Sequence, residues 1–189
     1  LFRPRSVAVV GASRRRGTIG GEIFHNLLSH GFTGPVYPVN PSSEVVQSVR
    51  AYPTVSDCPG PVDLAVIVVP KDKVLAAVDD CGQKGVKGLV VITAGFAEVG
   101  AAGRALQAEL LARVRGYGMR LVGPNCLGLV NTDPAWSLDA TFAPVWPPAG
   151  EVAFSSQSGA LGLAILDHAK NLGLGISQFV SVGNKADVS

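Results

Sequence analysis

Charged residues, cysteines and long apolar runs are all scarce in this sequence, and each scarcity excludes a class of protein. Charged residues make up 16% of the 189 residues, whereas an average soluble domain has ~25%, and the net charge is only +2. The three cysteines, Cys58, Cys81 and Cys126, form no CxxC pair, which disfavours structural zinc and predicts a reduced, cytoplasmic protein. No apolar run approaches the ~18 residues that cross a bilayer, and no signal-peptide core precedes Val7. We therefore expect no membrane partner.

The sequence does contain apolar residues, 47% of the total, in short blocks separated by glycine and proline. Apolar runs alternate with helical stripes, which predicts an α/β fold with a Rossmann-like, doubly wound parallel sheet over residues 1–130. The predicted strands cover residues 7–10, 36–39, 64–69, 88–92 and 120–122, and the predicted helices cover residues 20–30, 74–84 and 101–115.

Prolines interrupt this alternation in residues 131–150, which we interpret as an interdomain connection. A second β-α-β unit begins in residues 151–189, with strands predicted at 152–154 and 176–182 and a helix at about 158–171. About 40 residues cannot close a parallel sheet, so we expect the sequence to be a fragment of a longer protein.

The first predicted strand is followed by a basic loop, residues 11–20 (GASRRRGTIG). Five of the ten arginines lie at positions 3, 5, 14, 15 and 16, and no acid precedes Glu22, which favours an anionic ligand over nucleic acid. Small residues before a helix let backbone N–H groups approach a phosphate. However, Ser13 replaces the second glycine of GxGxxG, and Asn40 stands where an NAD-binding unit has an acid. The loop predicts a phosphate-bearing nucleotide other than NAD; a tight turn with solvated arginines is the alternative.

A serine-rich turn, Ser155 to Ser158, follows the predicted strand at 152–154. Its hydroxyls suit either a helix cap or a phosphoryl site. A serine-hydrolase elbow is excluded because Ser156 stands where G-x-S-x-G needs glycine, and because His168 lies ~15 Å along the same helix.

The remaining candidate residues favour structural roles. Cys126 is interpreted as a buried, inert thiol rather than a nucleophile, since no histidine partner is evident. His30 is expected at a helix C-terminus, where a positive charge suits the dipole. The spacing shows no metal-ligand cluster and no paired carboxylates, so we predict no metal site and no catalytic residue in this chain.

Seven motifs in order extend across essentially the whole chain: VAVVGASRRRGTIGGEI, VYPVNP, DLAVIVVP, GLVVITAGF, RLVGPNCLG, AFSSQSGALG and SVGNKADVS. Together they resemble the NDP-forming acyl-CoA synthetases, which include the succinyl-CoA synthetase α subunit and the ADP-forming acetyl-CoA synthetases. The resemblance implies a CoA-binding Rossmann-like domain, followed by the start of a flavodoxin-like ligase domain.

The resemblance also implies site residues. For CoA or acyl-CoA these are Gly11, Ser13, Arg14, Arg15, Arg16, Gly17, Asn40, Pro41, Val69, Pro70, Ile92, Thr93 and Ala94. The residues implied to face a phosphohistidine are Asn125, Ser156, Gln157, Ser158 and Gly159. Two departures stand out, because Ser42 and Ser43 replace an expected lysine and Ala94 replaces an acidic residue.

Two functions follow from the resemblance. In the first, the parent is a ligase acting on CoA and a small carboxylic acid through a phosphohistidine outside this chain, since no Gly-His-Ala-Gly-like loop is present. The Mg-nucleotide is then expected on a missing part, with an ATP-grasp domain or subunit as partner, and an oligomer is expected. In the alternative, the region senses CoA or acetyl-CoA in a fusion to a GNAT-type acetyltransferase, as residues 138–144 suggest.

Overall fold

The structure is a computed structural model that describes residues 1–188; Ser189, the last residue of the predicted second domain, lies outside the described residues. None of the helices in this part of the chain is long and apolar enough to cross a membrane. The elements of the first sheet and its coverings are, in chain order, β1 (Val7–Val10), α1 (Ile19–Ser29), β2 (Val36–Val39), the hairpin strands β3 (Val45–Val46) and β4 (Val49–Arg50), β5 (Leu64–Ile67), α2 (Lys71–Lys84), β6 (Gly88–Val91), a 3-10 turn (Ala97–Val99), α3 (Ala101–Gly116) and β7 (Arg120–Val122).

The first sheet is parallel and has the strand order β2-β1-β5-β6-β7. Its strands are buried on both faces because alternate residues enter different cores. In β1, Val7 and Val9 pack with α1, whereas Ala8 and Val10 pack in the core that α2 and α3 cover. The predicted α/β fold class, with helices on both faces of a parallel sheet, is confirmed.

A second sheet follows, with the strand order β10-β11-β8-β9. Its parallel pair, β10 and β11, encloses α4 in sequence, and β8 runs antiparallel to both β11 and β9. This is the beginning of a second α/β unit. Its elements are β8 (Gly128–Asn131), β9 (Leu138–Thr141), β10 (Ala149–Ser156), α4 (Gly159–Asn171) and β11 (Ile176–Ser181).

The stretch predicted as a connection, residues 131–150, contains a fully buried strand, β9. Its polar side chains are accommodated by partners: Thr141 donates to Asp139 at 2.7 Å, and Asn26 of α1 donates to the Thr141 carbonyl at 2.9 Å. His30 caps α1 as expected, but its Nδ1 also lies 3.0 Å from Asp139 Oδ2, without the alignment of a hydrogen bond. The His30 ring stacks on Trp146 at 4.6 Å, so these contacts join α1 to the second sheet.

Candidate nucleotide-binding site

The strand order reverses direction at β1, which pairs with β2 on one side and with β5 on the other. Ligands of open α/β sheets bind in the crevice outside the strand carboxyl ends at this switch point. A cavity of about 660 Å³ lies there. Five of the predicted CoA residues line it, namely Gly11, Asn40, Pro41, Val69 and Pro70.

The basic loop between β1 and α1 is held in place by close backbone contacts. Gly11 has φ +95°, and its N–H donates to the Val39 carbonyl at 2.9 Å. Thr18 caps α1 by accepting from the Gly21 N–H at 3.2 Å. A Cβ at Gly20 would lie only 2.1 Å from the Gly11 carbonyl oxygen, so the helix can approach the loop this closely only with glycine there. The unpaired N–H groups at the α1 N-terminus therefore lie next to the loop.

The three loop arginines divide into two groups. Arg16 makes two hydrogen bonds to the Glu22 carboxylate, at 3.0 and 2.8 Å. The hydrogen bond from Arg16, together with one from the Gly17 N–H, lowers the pKa of Glu22 to about 2. Arg14 and Arg15 are exposed, and within residues 1–188 neither has a carboxylate within 4 Å. Arg16 thus braces the loop, whereas Arg14 and Arg15 are available to an anion.

Asn40 holds the loops around this cavity, whereas Ile92, Thr93 and Ala94 lie outside its lining. Asn40 donates to the Ala12 carbonyl at 2.8 Å and accepts from the Ser42 N–H at 2.8 Å, so it fixes both loops. Thr93 donates to the Val69 carbonyl at 2.7 Å. Ile92 is buried and Ala94 exposed, and neither lines the cavity.

Sequence reasoning missed the contribution of α2 and of the β3–β4 hairpin. Lys73 and Asp80 of α2 line the 660 Å³ cavity. The hairpin borders a second cavity of about 850 Å³, which shares Asn40, Pro41, Ser42 and Pro53 with the first. The one available signal was that α2 begins directly after Pro70, at a strand carboxyl end where a ligand is expected.

The predicted phosphate-facing residues come together at a separate place, where three loops meet. Asn125, at φ +57°, donates its backbone N–H to the Thr93 carbonyl at 3.1 Å and its side chain to Asn184 at 3.4 Å. Gln157 donates to the Gly183 carbonyl at 3.3 Å. Asn184, which sequence reasoning did not single out although it lies in the SVGNKADVS motif, also contacts Glu98. The strand ends of the first sheet are thereby joined to the serine turn.

The serine turn has the geometry of a helix cap. Ser158 accepts from the Leu161 N–H at 3.2 Å, and Ser156 donates to the Ser158 carbonyl at 2.8 Å. A Cβ on Gly159 would lie 3.2 Å from Leu127 Cβ, so this turn packs closely against the residue that precedes β8. The phosphate role of these residues stays a prediction.

Cysteine and metal chemistry find no support among the described residues. All three cysteines are free and buried, and burial raises the pKa of Cys126 to about 12, so its thiolate is not populated near neutral pH. Residues 1–188 contain no group of three or more His, Cys, Asp or Glu side chains placed to hold a metal ion.

A parallel sheet, a switch-point cavity and an arginine-bearing loop at a helix N-terminus define a nucleotide-binding α/β domain. More specifically, the chain belongs to the CoA binding domain family, whose sequence profile matches residues 5–132. Residues 149–189 match the succinyl-CoA ligase like flavodoxin domain.

Relatives with known names support the same family. The chain is 50% identical over 188 residues to the acetate–CoA ligase (ADP-forming) II subunit alpha of Pyrococcus furiosus, covering 100% of this chain and 40% of that protein. It is 50% identical over 186 residues to the acetate–CoA ligase (ADP-forming) I of Archaeoglobus fulgidus, covering 98% of this chain and 27% of that protein.

A solved structure is similar throughout the chain. The dinucleotide forming acetyl-coenzyme A synthetase 1 of Ca. Korarchaeum cryptofilum, in complex with phosphate and ADP, has 52% identity and a TM-score of 0.95, covering 100% of this chain and 40% of that one. The chain therefore spans between 27% and 40% of the length of these three proteins, and the predicted resemblance to NDP-forming acyl-CoA synthetases is confirmed.

Proposed function

We propose that this chain is the CoA-binding portion of an NDP-forming acyl-CoA synthetase that acts on acetate or another small carboxylic acid. The observation that carries the proposal is the position of Arg14 and Arg15 beside the α1 N-terminus, where neither has a carboxylate within 4 Å among residues 1–188. Guanidinium groups and helix N–H groups are the donors that a diphosphate prefers. The names of the relatives support CoA over other diphosphate-containing nucleotides.

The chemistry of the crevice fits CoA. The diphosphate suits the loop of Ser13 to Gly17, and the adenosine suits the 660 Å³ cavity between the strand ends and α2. The acids that line this cavity are already engaged, since Asp80 accepts from the Val55 N–H at 2.6 Å and Asp79 pairs with Arg113. The Ile92, Thr93 and Ala94 edge then leads from the CoA crevice towards Asn125 and the serine turn.

The loop arginines provide the test of this assignment. A charge-assisted hydrogen bond contributes about 1.5–3 kcal/mol, and the lower value suits exposed side chains, so removing two should weaken CoA binding about 100-fold. We expect this loss for Arg14→Ala/Arg15→Ala in calorimetric titration of the chain with CoA. The matched control is Arg104→Ala/Arg115→Ala, which removes the same charge from α3 and should bind CoA as the wild type does. Equal affinity in the loop variant and the wild type would contradict the proposal.

The serine turn supports a second step in the parent enzyme, in which Asn125, Ser156, Gln157, Ser158 and Gly159 face a phosphohistidine. The α4 N-terminus, which follows Gln157 directly, offers a positive dipole end to such a group. In the full-length parent, Ser158→Ala should lower the phosphoenzyme level while CoA affinity stays nearly unchanged. If Ser158 is only the α4 cap, the same change should cost about 1 kcal/mol of stability and leave phosphorylation intact.

The rest of the activity belongs to parts of the parent outside this chain. We infer that the phosphorylated histidine, the Mg-nucleotide and an ATP-grasp domain or subunit lie there, and that the parent is an oligomer. Three free cysteines support a reducing, cytoplasmic location. No contact in residues 1–188 favours the alternative of a fused acetyltransferase.

A further inference from the structure

The 850 Å³ cavity beside the nucleotide crevice is not used by the function proposed so far. It is lined by the loop after β2 and by the β3–β4 hairpin, and it adjoins the 660 Å³ cavity at Asn40, Pro41, Ser42 and Pro53. A ligand whose sugar lies beside Pro41 can therefore place one substituent in each cavity. Ser43, Glu44 and Arg50 line the second cavity and not the first.

Arg50 supplies the positive charge of this cavity. Its guanidinium lies 5.8 Å from the centroid of the Tyr52 ring, and no carboxylate in residues 1–188 comes within 4 Å of it. A guanidinium stacked on an aromatic ring keeps its N–H groups available for an anion. Arg50 is therefore a positioned cation without a partner.

Two hydroxyls accompany Arg50. The backbone N–H groups of Ser42 and Ser43 are engaged with Asn40, at 2.8 and 3.4 Å. Their side-chain hydroxyls have no hydrogen-bond partner within the described part of the chain, and both residues line the cavity. Glu44 is the one acid on this lining, and it makes no ion pair with Arg50. The cavity thus offers a guanidinium and two free hydroxyls, opposed by one carboxylate.

The hairpin that carries Arg50 is held against α1 and β2. Arg50 pairs with Val45 across the hairpin, and its turn residues Gln47 and Ser48 have φ +47° and +68°. Gln47 donates to the Gly21 carbonyl of α1 at 2.9 Å. Tyr52, on which Arg50 stacks, donates its backbone N–H to the Pro38 carbonyl of β2 at 2.9 Å. The backbone that carries Arg50 is therefore held in place before any ligand arrives, which lowers the cost of binding.

The other candidate cation, Lys73, lies in a less suitable cavity. Lys73 shares the 660 Å³ cavity with Asp80, as Arg50 shares its cavity with Glu44, and the second acid of the 660 Å³ cavity, Asp79, is paired with Arg113. Ser42 and Ser43 both line the cavity of Arg50, whereas only Ser42 also borders the cavity of Lys73. The hydroxyl donors therefore favour phosphate in the second cavity and leave the first cavity to the adenosine.

We propose that Arg50, with the hydroxyls of Ser42 and Ser43, forms a subsite for the phosphate on the ribose 3′-oxygen of CoA. This inference rests on the proposed CoA-binding function and extends it to specificity. The ribose lies beside Pro41, its 5′-diphosphate reaches the arginine loop, and its 3′-phosphate enters the 850 Å³ cavity. The subsite makes the protein prefer CoA over 3′-dephospho-CoA, which has the same diphosphate and the same thiol arm.

The test compares these two ligands by calorimetric titration of the chain. Wild type should bind CoA about 10- to 100-fold more tightly than 3′-dephospho-CoA, the range expected for hydrogen bonds to a charged group. Arg50→Ala should lose most of this preference by weakening CoA alone, and Arg50→Lys should keep part of it. Glu44→Gln should increase the preference, because it removes the opposing charge. Arg104→Ala, the matched loss of an exposed arginine on α3, should keep the full preference.

Several outcomes would overturn the inference. Equal weakening of both ligands in Arg50→Ala would show that Arg50 supports the fold and not the 3′-phosphate. Loss of the preference in Lys73→Ala instead of Arg50→Ala would place the phosphate in the other cavity. Equal affinity of wild type for both ligands would refute the subsite but leave CoA binding standing, whereas failure of wild type to bind either ligand would refute the proposed function itself.

Discussion

Substituting Gly20 by alanine should push α1 away from the basic loop that precedes it. The new Cβ would lie 2.1 Å from the Gly11 carbonyl oxygen. A carbon and an oxygen in close contact stay about 3.3 Å apart, so the helix and the loop must move apart by about 1.2 Å. The two nearest atoms that oppose the new methyl group are backbone atoms of Gly11, which cannot rotate away as the side chain of Val68, the next nearest at 3.1 Å, could.

The cost of this movement can be expressed as a melting temperature. Overpacking costs about 1–3 kcal/mol, and a clash with backbone belongs at the upper end. Alanine regains about 1 kcal/mol over glycine within a helix, which leaves a net loss of about 2 kcal/mol. For a chain of this length, 1 kcal/mol shifts the midpoint by about 2–4 °C, so Gly20→Ala should melt about 4–8 °C lower. CoA affinity should fall as well, because the helix N–H groups move with α1.

Thermal unfolding followed by circular dichroism, with CoA titration of the same samples, measures both effects. Gly116→Ala is the matched control, since Gly116 ends α3 and a Cβ there meets no atom within 4 Å. The control should be as stable as the wild type or up to about 1 kcal/mol more stable. A Gly20→Ala variant that melts and binds CoA like the wild type would refute the account of the loop.

Three further predictions concern charge and reactivity. Burial raises the pKa of Asp139, so the free energy of unfolding should fall as the pH rises above the ordinary carboxyl pKa of about 3.9. Asp139→Asn should flatten the pH dependence of the melting temperature, and a variant with the same pH dependence as the wild type would contradict this prediction. Glu22→Gln frees Arg16 and removes a negative charge beside the loop, so CoA should bind a few-fold more tightly by calorimetry; weaker binding would show instead that Glu22 acts mainly by bracing the loop through Arg16. Cys126 should react with a thiol reagent far more slowly in the folded chain than in denaturant, because burial raises its pKa to about 12; rapid labelling of folded protein, detected by mass spectrometry, would show otherwise.

Much of the first sheet could be predicted because its strands are short, continuous apolar runs. All residues of β1 and β5 are buried, which requires cover on both faces and so predicts helices on either side. The strand order could not be predicted, because each apolar run is equally compatible with several neighbours. β9 was missed because the prolines of residues 131–150 indicated a connection, and its two polar residues, Asp139 and Thr141, are buried as a pair in which Thr141 donates to Asp139.

The candidate site was predictable where the loop itself carries the chemistry. The glycine and arginine residues of the loop indicate a phosphate-binding site from the sequence alone, and the structure brings Gly11, Asn40 and Pro70 to one cavity. The hairpin could not be predicted, because its strands have two residues each and its turn, with positive φ at Gln47 and Ser48, lacks the usual Asn-Gly signal. The sequence could not show that Arg16 is paired while Arg14 and Arg15 are exposed, because this difference depends on the contact between Arg16 and Glu22 in the folded chain.

Calorimetric titration of the 189-residue chain with CoA and, separately, with NAD tests whether this crevice binds CoA. We expect saturable binding of CoA that is tighter than that of NAD, since Asn40 stands directly after β2 where an NAD-binding unit has an acid, and the loop supplies the exposed guanidinium groups of Arg14 and Arg15. Raising the salt concentration should weaken CoA binding, because phosphate contacts with exposed arginines are screened. Tighter binding of NAD, or no saturable binding of CoA at low salt, would contradict the account.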